Sequence, residues 1–136
     1  VLADAQRLAA MPTRTLGNWS LGQILRHLAM SLDMMIDGPT FMLPAPLRWI
    51  MRPLMLKRFL KGPLNPGFKI PQKAANMVPP ATTTEQGLEQ LRTAVARIKG
   101  TSQRGPHPAF GTLTQRDWDT FQLRHCEMHM SFVVEA

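Results

Sequence analysis

The sequence predicts an all-α domain, a bundle of four long helices with a long, proline-rich, basic crossover between the second and third. Three observations predict it. Apolar residues recur at helical spacing in four stretches, beginning near Val1, Ser20, Thr82 and Thr114. Each of the last three opens on a Ser or Thr with an acidic or amide residue three positions on, the pattern of an N-terminal cap. Nine of the twelve prolines lie between Pro39 and Pro80, and no apolar period persists there for more than a few turns.

The first helix is expected over Val1 to Met11, where Leu2, Ala5, Leu8 and Ala9 share a face, and Pro12 ends it. Ser20 and Gln23 form a capping box that starts the second helix. Leu21, Ile24, Leu25, Leu28, Ser31, Leu32 and Met35 give that helix a broad apolar stripe, and Gly38-Pro39 stops it. In the crossover, two short helices are expected at Ala45–Arg52 and Leu54–Lys61, divided by Pro53, with Gly62 to Pro80 irregular. Thr82 and Glu85 pair as the next capping box, Leu88, Leu91, Val95 and Ile98 form a bundle seam, and Gly100 closes the third long helix. The last helix has the clearest start. Thr114 caps it, Asp117 follows at the third position, and Leu113 and Trp118 occupy the hydrophobic-staple positions. Phe121, His125, Met128, His129 and Phe132 continue down the Trp118 face.

Composition excludes several classes. The 136 residues suit one domain with a real core, and 44% apolar against 18% charged residues argues against disorder. Cys126 is the single cysteine, which rules out an internal disulfide and points to the cytoplasm. No run of about 20 apolar residues offers a membrane span, and the residues from Val1 carry no signal-peptide pattern. The net charge of +7 is confined to one segment. Between Gly38 and Thr84 there is no acidic residue, against the basic Arg48, Arg52, Lys57, Arg58, Lys61, Lys69 and Lys73, while the rest of the chain is neutral in balance. That distribution argues against a nucleic-acid binder, which also lacks any groove-reading motif here. It leaves open a basic, apolar segment lying on a membrane surface or against a partner.

The histidines carry the chemistry. His125 and His129 stand four apart on one helix, so their rings project one turn apart and can reach one ion. Both lie on the Trp118–Phe121–Phe132 face, which points inward when the helix packs. An imidazole buried without a partner costs about 1–3 kcal/mol per unsatisfied group, and a metal ion removes that cost. His27, between Ile24 and Ser31, offers a third nitrogen from the second helix. His107 lies in the Pro106–Pro108 loop and is a candidate only for supporting these three. Cys126 is rotated about 80° from the midline of the His125–His129 pair and reads as a small buried residue. Glu127 also points off that midline, and Trp19 and Trp118 read as core. There is no nucleophilic triad, no glycine-rich phosphate loop and no pair of carboxylates placed to share a task.

Two blocks then resemble a known superfamily. Gly-Asn-Trp-Ser-Leu-Gly-Gln-Ile-Leu-Arg-His-Leu-Ala (Gly17 to Ala29) resembles the second-helix motif of the DinB/YfiT-like metal-binding bundles. His-Pro-Ala-Phe-Gly-Thr-Leu-Thr (His107 to Thr114), then Trp118 and Leu-Arg-His-Cys-Glu-Met-His-Met (Leu123 to Met130), is similar to the final-helix motif, and more narrowly to a branch of unknown function. The resemblance implies a four-helix bundle whose second helix supplies one histidine and whose last supplies an H-x-x-x-H pair, matched by His27, His125 and His129. Where the branch often carries a further histidine, this chain has Met128, so no role for that residue carries over.

Three imidazoles leave coordination positions open, as in catalytic sites, and suit zinc or nickel, with manganese or iron as alternatives. The resemblance implies that such a centre activates a low-molecular-weight thiol or water for transfer to a small substrate. On that reading Gln23 orients a ligand beside His27, as an alternative to serving only its capping box. Arg48, Arg52, Lys57, Arg58 and Lys61 then draw in an anionic thiol or substrate, as an alternative to forming a solvated surface. The competing reading is a non-catalytic bundle with a structural metal or none, acting as an interaction module through its basic apolar middle. A homodimer through an exposed apolar helix face fits either reading.

Overall fold

A computed structural model describes residues 1–66 and 72–136, except the side chains of residues 73 and 74. Lys69 and the centre of the expected crossover lie outside the described residues, as does the Lys73 side chain. The architecture is mostly helical. In chain order it runs α1 (Leu2–Ala9), β1 (Thr13–Thr15), α2 (Leu21–Asp37), α3 (Ala45–Lys61), a 3₁₀ turn over Gln72–Met77, α4 (Thr84–Gly100), α5 (Gln115–Met130) and β2 (Val133–Glu135).

Helix α2 is the centre of the molecule. Its expected stripe is buried in full, with Leu25 and Leu28 completely enclosed, and α4 lies along it through Leu91 and Ala94. Burying one such leucine contributes about 1.5–3 kcal/mol. The two helices meet backbone to backbone at their N-terminal ends. A Cβ on Gly22 would collide with the Thr82 and Thr83 backbone, and one on Gly87 with the Gly22 carbonyl. Helix α1 adds Ala5 and Leu8 to the core. Helix α5 adds Trp118, completely buried, whose indole Nε1 donates to Gly105 O at 2.7 Å.

The caps of α2 and α5 fall where expected. Ser20 Oγ accepts from Gln23 N while Gln23 Oε1 accepts from Ser20 N, and Thr114 Oγ1 accepts from Asp117 N. The α4 cap sits one residue later than expected, on Thr83 with Gln86 instead of Thr82 with Glu85. The run Thr82-Thr83-Thr84-Glu85-Gln86 offers the box in two registers. The Thr82 hydroxyl instead donates to Pro80 O at 2.8 Å.

Three further expectations are corrected. Residues 45–61 form one helix, not two, with Pro53 inside it. Proline removes one intrahelical bond, that to the Trp49 carbonyl, and Pro53 stands on the exposed side where water can take the bond's place. Helix α1 ends at Ala9, two residues early, because Pro12 keeps Met11 out of the helical region. The third correction is a two-stranded antiparallel sheet pairing Thr13 with Glu135, Arg14 with Val134 and Thr15 with Val133. Phe132 therefore leaves the helix, and its carbonyl accepts from Leu16 N at 2.8 Å. The sheet ties the end of α5 to the loop leading into α2.

Helix α3 has no fully buried residue, and it packs one face on the core through Met51, Met55, Leu56 and Phe59. No helix among the described residues is long and apolar enough to cross a membrane.

Candidate metal centre

His27 projects from the middle of α2, and His125 and His129 from consecutive turns of α5, where the two helices pack together. One ring nitrogen of each lies within 4.8 Å of the other two. The three imidazoles are therefore close enough to hold one metal ion. His125 and His129 present their Nε2 atoms to each other at 3.0 Å. Metal–nitrogen bonds of about 2.0–2.1 Å in a tetrahedral site set nitrogens about 3.3 Å apart, so this pair is already near ligand spacing.

The outer nitrogens fix which atoms are free. His27 Nδ1 lies 2.9 Å from Met77 O, a carbonyl that can only accept, so Nδ1 carries the proton and Nε2 a lone pair. His125 Nδ1 lies 3.2 Å from Ser31 Oγ and 3.4 Å from Gln122 Oε1. Ser31 and Gln122 are both buried. The serine hydroxyl donates to Gln122 Oε1 at 3.1 Å, and Gln122 Nε2 donates to Ser31 O at 3.1 Å. Hydrogen bonds of this kind orient metal-ligating histidines in known sites. Trp19 covers the cluster from the α2 entry loop, stacked on His129 at 5.8 Å and tilted against His27 at 4.9 Å. Phe121 stacks on His125 at 6.3 Å.

Burial keeps these rings neutral. It pushes His129 down to about 4, helped by the neighbouring His27. It lowers His125 well below the ordinary imidazole value, with repulsion from His129, His27 and His107 adding to it. Burial lowers His27 as well, and the bond to Met77 O offsets part of that. Neutral imidazoles with free lone pairs are the protonation state in which histidine binds metal.

The other expected site residues are placed elsewhere. His107 is buried in a tight hairpin with Gly111 and packed among Phe110, Trp118 and Phe121. Its Nδ1 accepts from Ala109 N and Phe110 N, and burial drops it to about 3, so it holds the loop before α5 and stays outside the three-histidine cluster. Gln23 has both ends of its amide occupied, by the capping box and by Pro79 O at 3.2 Å. It anchors the segment that delivers the Met77 carbonyl to His27. Arg52 donates to Phe110 O and Thr112 O, bracing the His107 loop, and an Arg48 nitrogen lies against Gly111. Lys57, Arg58 and Lys61 lie on the exposed side of α3, opposite the Phe59 that meets Phe110 and Phe121. Cys126 is buried with its thiol pushed up to about 11, which makes it a neutral core group. Glu127 is exposed and pairs with Arg124.

Sequence reasoning passed over Ser31, Gln122, Met77 and Trp19 as supports of the cluster. Ser31 stands one turn after His27 and Gln122 one turn before His125. A polar residue one turn from a histidine on an inward face is a signal that could have found both. The Met77 carbonyl left no such mark, because a backbone acceptor has no residue type.

A family model described as "Protein of unknown function (DUF1569)" matches residues 1–136. No curated protein and no solved structure gives a match.

Proposed function

The chain belongs to the DUF1569 family of unknown function, and from that premise we propose that it is a divalent-metal protein whose centre is His27, His125 and His129. We read α1, α2, α4 and α5 as a DinB-like four-helix bundle, with α3 and the segment after it as the crossover. The observation that carries the proposal is the convergence of three neutral imidazoles, two of them with the outer nitrogen already hydrogen-bonded to a protein group.

A divalent ion held by three imidazoles supplies Lewis acidity, which makes a coordinated thiol or water nucleophilic near neutral pH. The chain's own residues do the rest. Met77 O holds His27 in the tautomer that offers Nε2, and the Ser31–Gln122 pair holds the His125 ring in place. Trp19 and Phe121 wall the cluster with apolar surface and limit the access of water. The activity that fits is transfer of a low-molecular-weight thiol, or of water, to a small substrate. The 3.0 Å contact between His125 and His129 Nε2 favours a second reading, in which the rings satisfy one another in a non-catalytic bundle. Thiol-transfer and hydrolysis assays on chelator-treated and zinc- or nickel-reloaded protein separate the two. The proposal expects activity that disappears with chelator and returns with metal, and activity indifferent to both contradicts it.

A further inference from the structure

Helix α3 is apolar on two sides. Its inner face, Met51, Met55, Leu56 and Phe59, packs on the core. Its outer face carries Leu47, Trp49, Ile50 and Leu54, four of the seven large apolar side chains exposed among the described residues. Trp49 at 74% and Leu54 at 72% are the most exposed of the seven. Pro46 and Pro53 are exposed among them. A helix apolar all round belongs in an interior, and a contiguous exposed apolar stripe marks a surface that something covers.

Charge selects the cover. Lys57, Arg58 and Lys61 extend the same outer face towards the C-terminal end of α3, and none of them meets an acidic group among the described residues. There is no acidic residue anywhere from Gly38 to Thr84. A second copy laid on this face would bring two such basic clusters into one interface with nothing in the segment to neutralise them. An anionic bilayer meets every feature at once. Aromatic and aliphatic side chains enter the headgroup boundary, tryptophan is favoured at that depth, and lysines keep their ammonium groups among the lipid phosphates. The inner face of the helix needs no polar surface, because the rest of the protein covers it.

We propose that the outer face of α3, formed by Leu47, Trp49, Ile50 and Leu54 with Lys57, Arg58 and Lys61, docks the protein on an anionic membrane surface. The association is peripheral, with α3 lying in the plane of the interface.

The test is co-sedimentation of the full chain with phosphatidylcholine vesicles and with vesicles that also contain phosphatidylserine, chelator being present so that the histidine centre plays no part. Binding is expected only to the anionic vesicles, with a blue shift of tryptophan emission that a Trp49→Phe variant loses. Replacing Lys57, Arg58 and Lys61 together with Gln weakens binding about 100-fold, at about fivefold per charge. Trp49→Ser with Ile50→Ser and Leu54→Ser abolishes it, circular dichroism confirming that both variants fold. Failure to bind, equal binding to neutral vesicles, or binding unchanged in the variants overturns the proposal. So does a concentration-dependent dimer in sedimentation equilibrium that Leu54→Ser dissociates, which would make a second copy the cover.

Discussion

Ser31 on α2 and Gln122 on α5, both buried, are joined by reciprocal hydrogen bonds of 3.1 Å, and His125 Nδ1 lies within 3.4 Å of both. This pair is the polar link between the helices that supply the three histidines. It fixes the His125 ring from behind and leaves Nε2 turned towards His129.

Gln122→Leu is therefore expected to weaken zinc binding by about 10–100-fold, the usual cost of losing a group that orients a histidine ligand. It also removes the buried hydrogen bonds between Gln122 and Ser31, at a cost of about 0.5–1.5 kcal/mol each in stability. Competition against a chromophoric chelator reads the first effect and urea unfolding the second. Unchanged affinity in a folded Gln122→Leu protein would show that the pair serves packing alone.

The crossing of α2 and α4 predicts opposite outcomes for one substitution at different glycines. Gly22→Ala and Gly87→Ala force a methyl group into facing backbone and are expected to destabilise by about 3 kcal/mol or more. Gly100→Ala, at the exposed end of α4 with nothing nearby to strike, is expected to stabilise by about 0.5–1 kcal/mol. Urea midpoints of the three variants check this, and similar shifts in all of them would contradict the close approach.

Acid should destabilise the metal-free protein in a defined window. His107 and His129 titrate at about 3 and about 4 in the fold, against 6.5 as the ordinary value, and His27 and His125 are also lowered. A histidine with a lowered folded pKa contributes stability that is complete above pH 6.5 and is lost as pH falls towards the folded value. The urea midpoint, measured with chelator, is expected to drop between about pH 6.5 and 5, before most carboxylates titrate. A flat profile there would mean that the four rings are not buried as neutral groups.

Cys126 is expected to resist thiol reagents at pH 8 in the folded protein and to react fully in denaturant. Burial raises its thiol to about 11, which leaves almost no thiolate at that pH. Rapid labelling of native protein would place Cys126 in an accessible site.

What was legible in the sequence was what local chemistry decides. The caps at Ser20 and Thr114 fix where α2 and α5 begin, and those starts set the faces on which His27, His125 and His129 point inward. Three features depend on tertiary context and were not legible. The α4 cap had two registers, and the helix takes the later one, on Thr83 with Gln86. Pro53 reads as a helix break, yet it stands on an exposed face and packing carries α3 through it. The strands β1 and β2 are three residues each, too short to show a period, and they exist because the end of α5 returns to the α1–α2 loop. The site divides in the same way. Its histidines lie in patterned helices, whereas the Met77 carbonyl reaches His27 from a segment fifty residues away.

The central claim is that His27, His125 and His129 hold one divalent ion together, and metal analysis of the purified chain beside its His27→Ala, His125→Ala and His129→Ala variants tests it most directly. The account predicts about one equivalent of zinc or nickel per wild-type chain and a marked loss in each variant, because two imidazoles hold an ion far more weakly than three. Equal metal content in all four proteins, or none in the wild type after reloading, would contradict it.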